Sequence, residues 1–210
     1  IVLKKNKNSG FGSSVQVTTG VPDNHALGYN MSYKHEKINL FSDLRYRYMT
    51  FLGEDSGLRT SYENNTVSFL DQYTDRVRRN RGINIYLGGD YYINDKNTLT
   101  LSYYHRSNVG TSTTKQYFNY LDADRLPTQI LNASVDYREP QIANQIELNY
   151  VKNFANEKKK LTVNLQYDFW NDDENERIAE NEIFPGTLPR TLKSRDIESS
   201  KDFLFQTDYT

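Results

Sequence analysis

Leu161-Thr162-Val163-Asn164-Leu165-Gln166-Tyr167-Asp168-Phe169 is the stretch that decides the fold. Every odd-numbered residue in it is apolar or aromatic, and every even-numbered one is polar. Successive side chains of a β-strand point to opposite faces, so this pattern makes one apolar face and one polar face. A helix would scatter the same residues around its circumference.

The same alternation extends outward in both directions. Leu27, Tyr29, Met31 and Tyr33 oppose Ala26, Gly28, Asn30, Ser32 and Lys34. Ile38, Leu40, Leu44, Tyr46 and Tyr48 oppose Asn39, Asp43, Arg45 and Arg47, with Phe41 and Ser42 out of step. Further stripes are Ile83, Ile85, Leu87, Tyr91 and Ile93; Leu99, Leu101 and Tyr103; and Ile142, Ile146, Leu148, Tyr150 and Phe154. Weaker versions run from Phe11 to Thr19 and from Asp202 to Tyr209. The pattern predicts an all-β chain of about eight strands, each roughly 9–12 residues and so long enough to cross a bilayer at a tilt.

The connections between these strands are ordered by length. His35-Glu36-Lys37, Asn94-Asp95-Lys96-Asn97 and Ala155-Asn156-Glu157-Lys158-Lys159 read as short polar turns. Residues 53–81, 107–141 and 171–200 read as long loops between them. Short turns at one end and long loops at the other describe an antiparallel up-and-down meander, the arrangement of an outer-membrane barrel. Within the loops, Arg59 to Phe69 and Ile130 to Tyr137 have strand-like composition and are expected to prolong the strands as hairpins. Asp172 to Ala179 is expected to start a short helix, with carboxylates in its first turn.

Composition removes other classes. Aromatic residues make up 13% of the 210, including 17 Tyr and 10 Phe, which argues against disorder. A net charge of −1 supplies no chain-wide field for nucleic acid. The absence of cysteine excludes disulfides, thiolate metal sites and cysteine nucleophiles. His25, His35 and His105 show no metal-ligand spacing. No nucleophile elbow or phosphate loop appears, and Leu87-Gly88-Gly89-Asp90 lies inside a strand stripe. No catalytic, cofactor or metal residue is assigned, and the chain is read as a non-enzyme. No run reaches the roughly 18 apolar residues of a helical span, and Ile1-Val2-Leu3 running straight into Lys4-Lys5 does not read as a signal peptide.

Several stretches carry a family likeness. They are Leu70-Asp71-Gln72 with Arg76-Val77-Arg78-Arg79-Asn80-Arg81; the run Leu87-Gly88-Gly89-Asp90-Tyr91-Tyr92-Ile93-Asn94-Asp95-Lys96-Asn97-Thr98-Leu99; Leu148-Asn149-Tyr150 leading to Lys158-Lys159-Lys160-Leu161-Thr162; and Gln206-Thr207-Asp208-Tyr209. Together they resemble the outer-membrane β-barrel family of TonB-dependent receptors of the Bacteroidetes type. Ile1-Val2-Leu3-Lys4-Lys5-Asn6-Lys7 resembles the last strand of the plug domain of such receptors. The resemblance implies residues 1–7 as plug and 8–210 as the N-terminal part of a barrel of about 22 strands. Starting and ending within strands, the chain is expected to be a fragment. Import of a scarce ligand across the bacterial outer membrane is then the implied function. The implied partners are outer-membrane lipid, the remaining plug and strands, TonB through the missing N-terminal region, and an unknown small ligand.

On this reading Tyr33, Tyr46, Tyr48, Tyr91, Tyr150, Tyr167 and Phe169 form aromatic girdles at the membrane interfaces. Asp43, Arg45, Arg47 and Asp90 face the lumen. Arg76, Arg78, Arg79 and Arg81 form a basic loop cluster that either binds lipopolysaccharide phosphates or an anionic ligand, or is a solvated loop paired with Asp71, Asp75 and Asp90. The run Asp172, Asp173, Glu174 and Glu176 lacks the spacing of a Ca²⁺ loop and reads as solvated. Two other readings stand beside the first: a complete eight-stranded outer-membrane barrel, and a soluble β-rich surface module binding glycans through exposed aromatics.

Overall fold

The computed structural model describes residues 9–156, 159–187 and 189–210, and the expected plug strand at 1–7 lies outside them. Eight strands follow one another: β1 (Ser9–Thr18), β2 (Asn24–His35), β3 (Ile38–Glu63), β4 (Thr66–Asn94), β5 (Asn97–Leu121), β6 (Pro127–Asn153), β7 (Lys160–Phe184) and β8 (Arg190–Tyr209). Each pairs antiparallel with the next, in one open sheet of order β1-β2-β3-β4-β5-β6-β7-β8. The all-β, up-and-down meander expected from the alternation is the observed architecture.

The strand lengths correct the sequence reading. β3 to β7 run for 25 to 29 residues, not 9 to 12. The three stretches read as long loops are mostly strand, and the hairpin extensions expected at 59–69 and 130–137 are the tips of a far longer ladder. The physical reason is that both partners alternate in step, so each added residue completes a backbone hydrogen bond with its neighbour. The helix expected at Asp172 to Ala179 is absent for the same reason: these residues are in β7, paired with β6 on one side and β8 on the other. Two sets of ladder bonds outweigh one capped helical turn.

The turns obey local chemistry. Asn64 and Asn65 between β3 and β4 both have positive φ, 47° and 64°, the left-handed pair of a type I′ hairpin. Glu36 takes φ 48° between β2 and β3. Between β5 and β6 the Asp122 carboxylate accepts the amides of Asp124 and Leu126, each at 2.9 Å. The β1–β2 loop is tied to β3, where the Thr50 amide donates to the Asp23 carbonyl at 2.7 Å.

Among the described residues no second layer covers this sheet. Leu70 and Ala133 are the buried apolar side chains among the described residues. Large apolar groups such as Leu101 (56% exposed) and Phe205 (60%) stand uncovered. The misfit at Phe41 has a steric explanation. Phe41 lies on the polar face over Gly88, where a Cβ would come within 2.3 Å of its ring. The ring also stacks on Tyr86 with centroids 5.6 Å apart. Gly88 thus opens a slot in β4 that an aromatic ring from β3 fills.

Candidate functional site

One face of the sheet carries an apolar belt close to the short turns. A single rung of the ladder runs Phe11–Tyr33–Leu40–Gly89–Leu101–Leu148–Leu165–Phe205 across all eight strands. Neighbouring rungs on the same face supply Leu27, Tyr29, Leu44, Ile85, Leu87, Ile146, Tyr167 and Phe203. Where Gly89 has no side chain, an apolar hollow of about 690 Å³ opens among Leu40, Leu87, Leu101 and Tyr103. Asn144, a buried polar residue within the belt, is satisfied by its neighbours. Its Oδ1 accepts from the Tyr103 hydroxyl at 2.8 Å and lies 2.8 Å from His105 Nδ1.

The belt is oblique to the rungs. Its upper edge is Tyr48 on β3, one rung above Tyr46. The Tyr46 rung passes through Ile83, Ser107, Ile142 and Asn171 to Ser199, yet the belt on β8 starts two rungs lower, at Phe203. Along this upper edge three rungs of about 6.8 Å are lost over the five strand spacings of about 4.8 Å from β3 to β8, while the lower edge follows the Ile38–Tyr91–Leu99–Tyr150 rung. On β3 the belt spans Ile38 to Tyr48, about 33 Å along the strand, which at the roughly 40° tilt of a transmembrane barrel strand is about 25 Å in height.

All seven candidate girdle residues lie on the belt face. Tyr33, Tyr91 and Tyr150 stand near the short turns; Tyr46, Tyr48, Tyr167 and Phe169 stand at or towards the upper edge. Tyr150 donates to Asn97 Oδ1 at 2.6 Å beside the β4–β5 turn, and Tyr167 packs on Phe169 with centroids 5.6 Å apart.

The opposite face is mainly polar, and its charge is divided. Asp43, Arg45, Arg47 and Asp90 all lie there, as the alternation predicts. Asp90 joins three strands, accepting from Asn39 at 2.8 Å and from Thr100 at 2.7 Å. Arg45, Arg47, Arg76, Arg78 and Arg106 make the β3–β5 part basic. On β6–β8 the same face carries Glu139, Glu147, Asp168, Asp172, Glu174, Glu176, Asp196, Glu198 and Asp202. Three carboxylate pairs sit directly opposite one another: Asp168 and Asp202, Asp172 and Glu198, Glu174 and Asp196. Burial, then repulsion from Glu139, Asp172, Asp196 and Glu176, holds the Glu174 carboxyl above the ordinary glutamate range. Burial and a hydrogen bond to Glu139 likewise push up the Tyr137 phenol.

The arginine cluster is not in a loop. Arg76, Arg78, Arg79 and Arg81 lie within β4, and alternation separates them. Arg76 and Arg78 join the polar face, while Arg79 and Arg81 stand on the belt face just above the apolar band. None of them is ion-paired with Asp71, Asp75 or Asp90 among the described residues. Alternation also divides the acidic run. Asp172, Glu174 and Glu176 are on the polar face, and Asp173 is on the other, held by Arg195 through Nε at 2.7 Å and Nη2 at 2.8 Å. That guanidinium keeps the Asp173 carboxyl below the ordinary aspartate range. No group of His, Asp and Glu among the described residues is placed to hold a metal ion.

Sequence reading missed one feature, the cations Arg138, Arg177, Lys193 and Arg195 above the belt on its own face. Following the alternation through 134–138 and 173–179, in place of a loop and a helix, finds them. No family model and no curated protein matches the chain.

Proposed function

We propose that this chain forms wall in an outer-membrane β-barrel of the TonB-dependent receptor kind, with the apolar belt against lipid and the polar face towards the lumen. The observation that carries this reading is the belt itself: continuous over eight strands, about 25 Å tall on β3, bounded above by charge, and backed by a mainly polar face. The short-turn, long-hairpin asymmetry supports it independently. Pairing every backbone group within the ladder is what a strand needs in hydrocarbon, where water cannot substitute. The long hairpins rise well beyond the belt and supply surface for admitting a scarce ligand from outside. Tyr and Phe at the belt margins suit the lipid–water interface, with hydroxyls reaching polar partners.

The open sheet favours a section of a larger wall over a barrel closed by these eight strands, since β1 and β8 are not neighbours. A soluble glycan-binding module needs a second layer to cover the apolar face, and the described residues provide none.

Because the chain has no cysteine, single cysteines can be scanned without background. Spin labels at 145 to 150 in vesicle-reconstituted protein should alternate. Positions 146, 148 and 150 should collide with oxygen, and 145, 147 and 149 with a water-soluble nickel chelate. Labels at 146 and 148 shielded from both reagents would sink the proposal, because that is how a sandwich core behaves.

A further inference from the structure

On the polar face, level with the upper edge of the belt, one rung runs Arg47–Gly82–Asn108–Gln141–Asp172–Glu198 from β3 to β8. Its β3–β5 end is a hollow of about 250 Å³ lined by Arg45, Arg47, Arg106, Asn80, Asn84 and Asn108. Gly82 keeps that hollow open, since a Cβ there would come within 2.8 Å of Asn108 Oδ1. The other end is the carboxylate pair Asp172 and Glu198, directly opposite one another on β7 and β8. The ion pairs of the described residues join His25 to Asp23, Arg190 to Glu180 and Arg195 to Asp173, so neither end is neutralised. Nor do the ends neutralise each other. Four strand spacings of about 4.8 Å part Arg47 from Asp172, more than twice the Debye length of about 8 Å at physiological ionic strength. Each end also holds a shielded acceptor without a hydrogen-bond partner among the described residues: Asn80 Oδ1 at the basic end and Asp172 Oδ1 at the acidic one. We propose that this rung binds a linear oligopeptide of about four or five residues laid across β4 to β8, its carboxylate in the hollow and its ammonium between Asp172 and Glu198. The assignment rests on the barrel-wall reading, which makes this face the lumen.

Charge order sets the orientation, and spacing sets the length. The hollow centres on β4, three strand spacings from β7 and four from β8, so the carboxylate pair lies about 14–19 Å away. An extended chain covers at most about 3.3–3.6 Å per residue. Four or five residues therefore span the gap, and a dipeptide at about 7 Å does not. Guanidinium forks take a carboxylate through two parallel N–H bonds. The orphaned Asn80 oxygen favours a peptide over a simple diacid or amino acid. It needs a donor next to the carboxylate, and the last amide N–H of a peptide stands there. At the acidic end an ammonium brings donors for the unpartnered Asp172 oxygen and for Glu198 together. Trp170, two residues from Asp172 on the same face and 37% exposed, adds a π-surface beside that ammonium.

The test uses the whole protein that carries this chain, purified in detergent, and isothermal titration calorimetry. The probes are penta-alanine with free ends, its C-terminal amide, its N-acetyl form, and di-alanine. The free-ended pentapeptide should bind at least tenfold more tightly than each of the other three. Arg47→Gln/Arg106→Gln should weaken the free-ended peptide at least tenfold and leave the amide unchanged. Asp172→Asn/Glu198→Gln should weaken the free-ended peptide equally and leave the N-acetyl form unchanged. The unchanged arm in each case shows that the variant is folded. Arg138→Gln/Arg177→Gln, the same charge change on the opposite face, should bind as wild type. Equal binding of all three pentapeptide forms, or equal loss across them in either double variant, would overturn the assignment. So would the absence of heat from every peptide, the result expected if another part of the same polypeptide already covers the rung. The spin-label pattern at 145 to 150 decides the wall reading separately. Alternating labels without end-selective peptide binding remove this site alone, and end-selective binding without alternation keeps the site and removes the wall.

Discussion

Ile146 sits on β6 midway along the belt stripe, four residues below Ile142 and four above Tyr150. At the roughly 40° tilt of a barrel strand each interval is about 10 Å in height, so this side chain lies midway between Ile142 and Tyr150, well inside the belt. Replacing it with arginine should cost about 2–4 kcal/mol of folding free energy in a bilayer, a roughly 30- to 900-fold drop in the folding constant. Tyr150→Arg, at the belt edge, should cost about 1 kcal/mol or less by the same depth dependence. Gln145→Arg points to the other face and should stay within about 0.5 kcal/mol. The measurement is equilibrium unfolding by urea from lipid vesicles, followed by tryptophan fluorescence and gel mobility. What decides it is the gradient, since Ile146 is already 44% exposed in the isolated sheet. Equal costs at 145 and 146, or a larger cost at 150 than at 146, would refute the belt as a lipid-facing surface.

The slot between Phe41 and Gly88 predicts a non-additive pair. Gly88→Ala should cost about 1–3 kcal/mol by displacing the ring, and the double variant with Phe41→Ala should cost no more than Phe41→Ala alone; an additive cycle from urea titrations would contradict the steric account. The acidic ladder predicts that Asp196→Asn stabilises the β7–β8 hairpin by about 0.2–1 kcal/mol, read as slower amide exchange. Its pH dependence follows from Glu174. Because the folded-state pKa is raised, that stabilising contribution is fully present below the ordinary glutamate value of about 4.3 and is lost as pH rises through the higher folded value. Asp173 acts oppositely: its contribution holds above about 3.9 and is lost only as pH falls lower. Exchange in 194–198, corrected for intrinsic rate, should therefore slow on acidification from neutrality to about pH 4.5, and faster exchange would count against the repulsion. At the β3–β4 tip, Asn65→Val should destabilise the hairpin by about 1–2 kcal/mol, because a β-branched residue resists positive φ; unchanged amide protection across Tyr62 and Val67 would exclude it.

Strand number, order and facing were legible because alternation is a local signal. Leu161 to Phe169 reads correctly from sequence, and so do the polar-face positions of Asp43, Arg45, Arg47 and Asp90. Strand ends were not legible above the belt. There neither face needs to be apolar, so polar residues alternate with polar residues and leave no contrast to read. Asp172 to Ala179 shows the consequence, since its carboxylates fit a helix start locally while the ladder on both sides makes it strand. One local clue was available: Asn64-Asn65 is a pair that tolerates left-handed backbone and marks a tight hairpin where a broad loop was read. The splitting of Arg76, Arg78, Arg79 and Arg81 follows from the same point. A basic run in a loop is one patch, whereas in a strand it is two half-patches on opposite sides of a wall.

The division of charge on the polar face has a mechanical consequence. A surface of one sign only attracts or repels what faces it. A surface that is basic on β3–β5 and acidic on β6–β8 also exerts a torque. Any body resting against it, with its own charges unevenly spread, has one preferred rotational setting and is turned towards it before contact is complete. Moving a few of those carboxylates to the other side would leave the wall intact and reset that angle.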